Sequence, residues 1–326
     1  MNKPVIVSGI KPSGKLHIGN YLGALANWVE LQKNYECFFF VADMHSLTET
    51  YKPEEKRADT LNIATDLLAL GIDPENSAIF VQSQIPEHAE LTWYFNTLTP
   101  VAFLERMTQY KDFISRGHAA NAGLFDYPVL QAADILLYKP YGVPVGEDQL
   151  QHLELTNDIV KKFNGRFGQT FTAVKPLLTQ TPRVMSLLDP SKKMSKSLGE
   201  GHVLNLSDDA KTIEKKLARA VTDTGKDKKM SAGVQNLFQL LEIFGEPEQH
   251  KFYAEAHKTG TIRYSDLKTN LAKVIAHHFA EYRTKRAELE KTPKYIAEVI
   301  ARGREKARAI AGQTLQEIKE KMGLLL

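Results

Sequence analysis

The first part of the chain alternates short apolar runs with longer segments in which apolar residues recur at helical spacing. The three short runs are residues 5–7, 37–42 and 78–81, and the helical spacing covers the stretch from about Ile18 and residues 53–70. Strands that alternate with helices predict an α/β fold with a doubly wound, parallel, Rossmann-like sheet. Ligands bind such sheets at the carboxyl ends of the strands, so we expect the site at residues 8–17 and 43–45.

The rest of the chain is mainly helical in pattern. A strand end is predicted at 143–146, a helix at 149–163, and an irregular helical connecting insertion with subunit contacts at 87–125. From about Asp208 onward the pattern is almost entirely helical. We therefore predict two domains: residues 1–203 as the sheet domain, and residues 204–326 as an all-helical domain.

Composition fits a folded protein of this kind. The 326 residues are 43% hydrophobic and 25% charged, and the length corresponds to roughly two domains of about 150 residues. The sequence has no apolar run of about 18 residues and no signal-peptide pattern at its start, so we expect a cytoplasmic protein. The single cysteine, Cys37, excludes an intrachain disulfide and a cysteine-rich metal site.

Positive charge is concentrated near the C-terminus. Residues 261–326 carry 14 Lys and Arg against 8 Asp and Glu, whereas the whole chain has a net charge of only +3. Four basic residues lie close together there: Arg302, Arg304, Lys306 and Arg308. This pattern is compatible with a nucleic-acid partner, and equally with a solvated helix face that forms ion pairs to Glu298 and Glu305.

The first candidate for chemistry is the turn from Lys11 to Asn20, between the first strand and the first helix. It lacks the spacing of a P-loop, but free backbone N–H groups at a helix start attract anions. Gly19 has no Cβ, so a nucleotide could lie against the backbone there, and His17 and Asn20 could donate to phosphate oxygens. A polar helix cap is the alternative interpretation.

A second candidate is the lysine-rich loop Lys192-Lys193-Met194-Ser195-Lys196-Ser197, which follows Asp189-Pro190. Lys193 and Lys196 are three residues apart, close enough to bind one polyphosphate. Lysine suits this task because its ammonium is a mobile point charge on a flexible stem. Any three lysines can also form an ordinary solvated loop.

The two motifs together, HIGN at 17–20 and KMSKS at 193–197, resemble the paired signatures of the class I aminoacyl-tRNA synthetases. Residues 127–138 (YPVLQAADILLY) and 143–152 (VPVGEDQLQH) are similar to bacterial tryptophanyl-tRNA synthetases, and so are residues 8–14 and 43–45. The similarity extends along essentially the whole chain.

The resemblance implies a role for each matching residue. The ATP contacts would be Lys11, Pro12, Ser13, Gly19, Asn20, Gly146, Glu147, Asp148 and Val184, together with the loop residues Lys193, Met194, Ser195, Lys196 and Ser197. His17, Lys193 and Lys196 would be catalytic. Asp134 would accept the indole N–H of tryptophan, while Tyr127 and Gln149 would orient its α-ammonium. The family also implies Mg²⁺ carried on the ATP phosphates with no metal site of the protein's own, a tRNA partner, a homodimer, and an anticodon-binding role for the helical domain.

Four positions depart from the forms that are common in this family. Lys11 stands where glutamine is common, Gln131 replaces a methionine beside the indole, and Val7 occupies the place of a phenylalanine. Phe113 stands where some relatives have a second lysine after Lys111. The packing of the indole pocket and the lysine that holds pyrophosphate are therefore open at this point.

The implied reaction needs little proton transfer, because the attacking carboxylate is already an anion. A site rich in lysine, histidine and backbone N–H groups suits catalysis by positioning and charge stabilisation. Three alternatives remain: a tyrosyl-tRNA synthetase, a small-molecule nucleotidyltransferase with the same turn, and a non-catalytic RNA-binding protein. A capping or ion-paired carboxylate is the alternative interpretation of Asp134, and helix packing is the expected role of His277-His278.

Overall fold

The structure of the protein is a computed structural model that describes residues 3–115, 117, 120–178, 182–223 and 229–325. The chain divides into two compact units: the first contains residues 1–14, 27–180 and 289–326, and the second contains residues 15–26 and 181–288. In the described part of the chain, no helix has the length and apolar character needed to cross a membrane.

A five-stranded parallel sheet forms the centre of the first unit. Its strands are β1 (Val5–Ile10), β2 (Glu36–Val41), β3 (Ser77–Val81), β4 (Gly142–Val145) and β5 (Lys175–Leu178), in the spatial order β3-β2-β1-β4-β5. The order reverses direction between β1 and β4, and all four neighbouring pairs are parallel. This arrangement confirms the predicted doubly wound α/β fold.

Both faces of the sheet are covered at β2 and β3, which explains why these two strands are almost continuously apolar in sequence. Neighbouring side chains on β2 point to opposite faces. The ring of Phe39 stacks on Trp28 with centroids 4.5 Å apart, whereas the ring of Phe38 stacks on Tyr138 at 5.1 Å. All four rings are almost fully buried, so this strand is fixed between two layers.

The first unit also contains helices, most of which lie between its strands in sequence. They are α2 (Ala26–Leu31), α3 (Pro53–Ala69), α4 (Glu87–Asn96), α5 (Val101–Glu105), α6 (Thr108–Ser115), α7 (Ala122–Leu136), α8 (Leu150–Phe167) and α14 (Pro293–Met322). Helix α14 lies directly against β3: a Cβ at Gly303 would be only 2.0 Å from the Ile79 carbonyl oxygen. Only glycine permits this approach, so the last helix of the chain belongs to the sheet unit.

The second unit is helical. It contains α1 (Ile18–Asn20), α9 (Ala210–Ala218), α10 (Ala232–Phe244), α11 (Pro247–Lys258), α12 (Tyr264–His278) and α13 (Ala280–Leu289), the last of which ends at the unit boundary. A π-helical turn, Tyr21–Leu25, follows α1. The His277-His278 pair lies at the end of α12, where the His278 ring packs edge-on against Phe244.

The division into units differs from the predicted boundary at residue 203. The final helix of the predicted helical domain lies in the sheet unit, and the HIGN turn lies in the other unit. The predicted insertion at 87–125 contains α4, α5, α6 and the start of α7, while residues 116, 118 and 119 lie outside the described residues. Strand β5 was not predicted, because its four residues carry a lysine and a proline and are largely exposed.

Candidate active site

Asp134 lies near the end of α7 and is only 1% exposed. Its carboxylate contacts the side chains of three residues in the first unit. His45 Nε2 is 2.7 Å from Oδ2, His88 Nδ1 is 2.6 Å from Oδ1, and Gln82 Nε2 donates to both oxygens at 2.8 and 2.9 Å. The carboxylate is therefore an acceptor surrounded by donors.

Two further contacts orient these donors. The backbone N–H of Met44 donates to Gln82 Oε1 at 3.1 Å, which turns the Gln82 amino group toward Asp134. His88 Nε2 is 2.9 Å from the Tyr138 hydroxyl. Burial raises the pKa of Tyr138, so the phenol keeps its proton. Its O–H can donate to His88 Nε2 while Nδ1–H donates to the carboxylate.

The charge state of Asp134 follows from this environment. Burial alone would raise the pKa of this carboxyl, but the charge of His45 and the hydrogen bonds from His45 and His88 outweigh it and lower the pKa to about 2. The group is therefore an anion at neutral pH. A buried anion accepts N–H donors strongly, and leaving one of its hydrogen bonds unmade is costly.

Tyr127 lies seven residues before Asp134 on α7 and is partly buried. Its hydroxyl is 2.7 Å from Gln109 Oε1 and 2.6 Å from His152 Nε2. The ring meets His45 edge-on, with centroids 6.1 Å apart. His45 thus contacts both Tyr127 and Asp134, which brings two of the predicted tryptophan-binding residues into one network.

Gln149, the third predicted tryptophan-binding residue, ends a short turn that follows β4. Its Oε1 accepts from Gln131 Nε2 at 3.3 Å, and its Nε2 donates to Asp148 Oδ2 at 3.1 Å. Gln131, which stands in place of a methionine, therefore holds Gln149 through a polar contact. The sequence had left the consequence of that replacement open.

Predicted ATP contacts follow the carboxyl ends of two adjacent strands, β1 and β4. Lys11, Pro12 and Ser13 come after β1, and Gly146, Glu147 and Asp148 come after β4. A Cβ at Gly146 would lie 2.7 Å from Asp148 Oδ1, so a larger residue there would displace the Asp148 carboxylate. Lys11 forms an exposed ion pair with Glu49, with Nζ and Oε1 2.6 Å apart.

In the second unit, His17 caps the start of α1. Its Nδ1 accepts the Gly19 N–H at 3.1 Å, and its own N–H donates to Asn20 Oδ1, also at 3.1 Å. Burial, together with the positive charges of Lys196 and Lys193, lowers the His17 pKa to about 4. The ring is therefore neutral at pH 7. Because Nδ1 accepts, its single proton is on Nε2, where it can be donated.

The KMSKS loop is held in the same unit by a short antiparallel pairing. Met194 N–H donates to the Val184 carbonyl at 3.0 Å, and Ser186 N–H donates to the Lys192 carbonyl at 2.9 Å. Met194 and Val184 are both 2% exposed. The buried methionine fixes the loop, while Lys193 is exposed and Lys196 is partly exposed.

The two signature motifs meet in this unit. A Cβ at Gly19 would lie 4.0 Å from Met194 Cβ and 2.9 Å from the His17 ring. The segment after the loop also holds the turn, since Ile18 N–H donates to the Leu204 carbonyl and Leu206 N–H donates to the Leu16 carbonyl, both at 2.9 Å. Motifs more than 170 residues apart in sequence are thus neighbours in the fold.

Sequence reasoning missed several residues of these networks: Gln82, His88, Gln109, Tyr138 and His152. Gln82 could have been found, because it directly follows β3 at the same edge of the sheet as His45. The others lie inside helices or in the turn after α7, where a lone polar residue gives no signal. Among the described residues, no group of three or more His, Cys, Asp or Glu side chains could hold a metal ion.

Comparison with known proteins finds a matching family model and similar sequences. The sequence model of the family described as tRNA synthetases class I (W and Y) matches residues 1–280. The chain is 44% identical to tryptophan–tRNA ligase 2 of Streptomyces avermitilis, over 99% of this chain and 98% of that protein. It is 41% identical to the tryptophan–tRNA ligase of Caldanaerobacter subterraneus subsp. tengcongensis, over 98% of each chain.

A solved structure is also similar. The crystal structure of tryptophanyl-tRNA synthetase from Campylobacter jejuni, complexed with ADP and tryptophan, superimposes with a TM-score of 0.87. The two chains are 36% identical, and the match covers 98% of this chain and 99% of that one. Both the sequence and the fold of these proteins are therefore shared along nearly their whole length.

Proposed function

The chain belongs to the family of class I tRNA synthetases for tryptophan and tyrosine, and we propose that it is a tryptophan–tRNA ligase. It activates L-tryptophan with ATP to form tryptophanyl-adenylate and pyrophosphate. It then transfers tryptophan to the terminal ribose of its tRNA. Relatives at 41–44% identity over nearly the full length carry this name.

The proposal that the amino-acid substrate is tryptophan rests on one observation: Asp134 is buried and ionised. Indole has one N–H, which can donate to this carboxylate in place of one of the donors now bound to it. His45, whose side chain is 12% exposed, is more accessible than Gln82 and His88, which are fully buried. The phenylalanine side chain has no donor, so it could not supply that hydrogen bond. A site of this kind can reject the analogue by ~10⁴-fold without an editing step. Tyrosine could also donate, so its rejection must come from pocket shape.

Activation is mainly a matter of position and charge. The tryptophan carboxylate attacks the α-phosphorus of ATP, and pyrophosphate leaves with the electron pair of the broken P–O bond. We assign the leaving phosphates to Lys193 and Lys196. Neutral His17 donates from Nε2 to a phosphate oxygen. Such preformed donors stabilise charge as it develops in the transition state.

The remaining assignments follow the motif positions. The ATP contacts are Lys11, Pro12, Ser13, Gly19, Asn20, Gly146, Glu147, Asp148 and Val184, together with Met194, Ser195 and Ser197 of the loop. Tyr127 and Gln149 bind the α-ammonium of tryptophan.

Mg²⁺ arrives as part of the ATP substrate, bound to its phosphates. Since ATP and tRNA are its substrates, we place the enzyme in the cytoplasm.

We propose a homodimer that uses the connecting insertion. Trp93 on α4 is 68% exposed and Val101 on α5 is 61% exposed, which places them among the three most exposed large apolar side chains of the described residues. A second copy of the chain would cover them. Light scattering of the purified protein should therefore give twice the mass of one chain, and Trp93→Glu should shift it toward one.

For tRNA we propose a contact on the basic side of α14. Arg302, Lys306 and Arg308 form ion pairs with Glu75, Glu36 and Glu87, at 2.8, 2.9 and 3.1 Å. These partners come from the sheet unit, rather than from Glu298 and Glu305 of the same helix. Arg304 is partly buried, and no ion pair of it is found among the described residues, so a phosphate would not have to displace a carboxylate from it.

The experiment that tests the proposed function is amino-acid-dependent ATP–pyrophosphate exchange with tryptophan, tyrosine and phenylalanine. Exchange with tryptophan alone is the expected result. Exchange with tyrosine would show instead that the chain is a tyrosine enzyme of the same family. Absence of exchange with all three, in a folded protein, would contradict the proposed activity and leave a binding protein.

A further inference from the structure

The Tyr127 hydroxyl lies between two side chains that come from different helices. On one side is Gln109 of α6, whose Oε1 is 2.7 Å away. On the other is His152 of α8, whose Nε2 is 2.6 Å away. Neither residue was expected at the site from its sequence context, and neither has a role in the reaction as described so far.

His152 is a buried neutral imidazole. It is 2% exposed, and its Nδ1 has no hydrogen-bond partner in the part of the chain that the structure describes. Burial lowers the pKa of His152 to about 4, with the charge of Asp148 acting in the opposite direction and that of His45 adding to the effect. At neutral pH the ring therefore has one N–H and one bare nitrogen.

Counting protons fixes the direction of both hydrogen bonds. A phenol has one O–H, and Gln109 Oε1 can only accept, so Tyr127 donates to Gln109. The 2.6 Å contact with His152 then requires that Nε2–H donates to the phenol oxygen. Burial also raises the pKa of Tyr127, which keeps the phenol protonated. With its proton committed, the oxygen retains one lone pair.

We propose that His152 is a positioning residue: together with Gln109 it directs the Tyr127 proton away from the substrate, so that the phenol oxygen accepts a hydrogen bond from the α-ammonium. This rests on the proposed function, in which Tyr127 binds that ammonium. An ammonium has three N–H donors and no acceptor. A hydroxyl free to rotate would spend part of its time presenting its proton to a cation, which weakens binding.

The proposal predicts an effect confined to one group of the ligand. L-Tryptophan and indole-3-propionate share the ring and the carboxylate, but only tryptophan has the ammonium. Removing the His152 donor should therefore weaken tryptophan and leave indole-3-propionate unchanged. A general disturbance of the pocket would weaken both ligands alike.

The test is isothermal titration calorimetry of the full-length protein with each ligand. We expect His152→Leu to raise the Kd for tryptophan about tenfold and to change the Kd for indole-3-propionate less than about twofold. His152→Gln, which can place an amide N–H near the position of Nε2, should restore most of the tryptophan affinity. His257→Leu is the matched control, since His257 is a 3% exposed histidine in the second unit whose Nε2 has no hydrogen-bond partner among the residues that the structure describes.

A second variant tests the same proposal in case His152→Leu does not fold. Gln109 is exposed, so Gln109→Leu leaves the core intact and removes the acceptor of the Tyr127 proton. It should also weaken tryptophan selectively. Equal weakening of both ligands, or an unchanged tryptophan affinity in both variants, would overturn the positioning role. A wild-type protein that binds neither ligand would instead contradict the proposed function on which this role depends.

Discussion

At the residue scale, the site depends on side chains whose protons are fixed by their neighbours. His17 is neutral because it is buried beside two lysines, and Asp134 is ionised because two histidines face it. In each case the contacts of the side chain, rather than the residue type alone, decide its protonation state at neutral pH. Substitutions at these positions should therefore change selectivity and rate more than they change the fold.

Asp134→Ala tests the indole contact. Loss of a hydrogen bond to a charged group costs about 1.5–3 kcal/mol, so exchange with tryptophan should fall by at least about tenfold in kcat/KM. The preference for tryptophan over phenylalanine should shrink with it, as measured by exchange with both amino acids. The control is Asp126→Ala, two turns earlier on α7, where the carboxylate contacts Asn96. If the preference is unchanged by Asp134→Ala, the indole assignment is wrong.

Lys196→Ala tests the charge of the KMSKS loop. The activation rate should fall by about 10²-fold or more, whereas tryptophan affinity should change little, because the ammonium stabilises charge that develops only in the transition state. Single-turnover formation of the adenylate and equilibrium binding separate the two effects. Lys215→Ala removes an exposed lysine of the same unit and should leave both nearly unchanged. Equal losses of rate and affinity by Lys196→Ala would contradict a transition-state role.

At the element scale, α14 contains a glycine that allows the helix to pack directly against a strand. Gly303 lies against the backbone of β3, and a Cβ there would meet the Ile79 carbonyl oxygen at 2.0 Å. The same helix carries Gly312, where a Cβ would meet no atom of the described residues within 4 Å. The two glycines are therefore a matched pair within one element.

Gly303→Ala should destabilise the protein by about 2 kcal/mol or more, because the helix must move off the strand. Gly312→Ala should be neutral or should stabilise it by up to about 1 kcal/mol, through higher helix propensity. Urea unfolding followed by circular dichroism measures both. Similar effects of the two substitutions would mean that α14 does not pack this closely.

At the scale of the whole molecule, stability should depend on pH through its buried histidines. The pKa of His17 and that of His152 are each lowered to about 4 in the folded state, against about 6.5 in the unfolded chain. Between these values the unfolded chain binds more protons, so the free energy of unfolding falls as pH is lowered from about 6.5 to 4. Above pH 6.5 this contribution is fully present.

We expect the two histidines to contribute roughly 1–3 kcal/mol each across this interval. Denaturant unfolding at a series of pH values measures the slope. His17→Gln should reduce this slope, since glutamine does not titrate. His277→Gln, at an exposed position, is the control and should leave the slope unchanged. A slope that is independent of His17 would contradict its burial as a neutral group.

The sequence by itself determined the class of fold, the early strands and the two signature motifs. Those features are local: apolar runs of strand length, helical spacing and short motifs are readable without knowing which segments meet. The family and the identity of Asp134, Tyr127 and Gln149 as candidates followed from such motifs. Their roles remain predictions that the exchange and binding experiments address.

Only the tertiary structure decided which residues surround those candidates. Gln82, His88 and His152 became part of the networks through contacts between residues 25 to 52 positions apart. The place of α14 likewise depended on distant contacts: the close approach of Gly303 to β3, and apolar residues such as Ala307 and Leu315 that join the core of the sheet unit. Proton positions and charge states depend on such distant neighbours, and the pattern of apolar and polar residues carries no record of them.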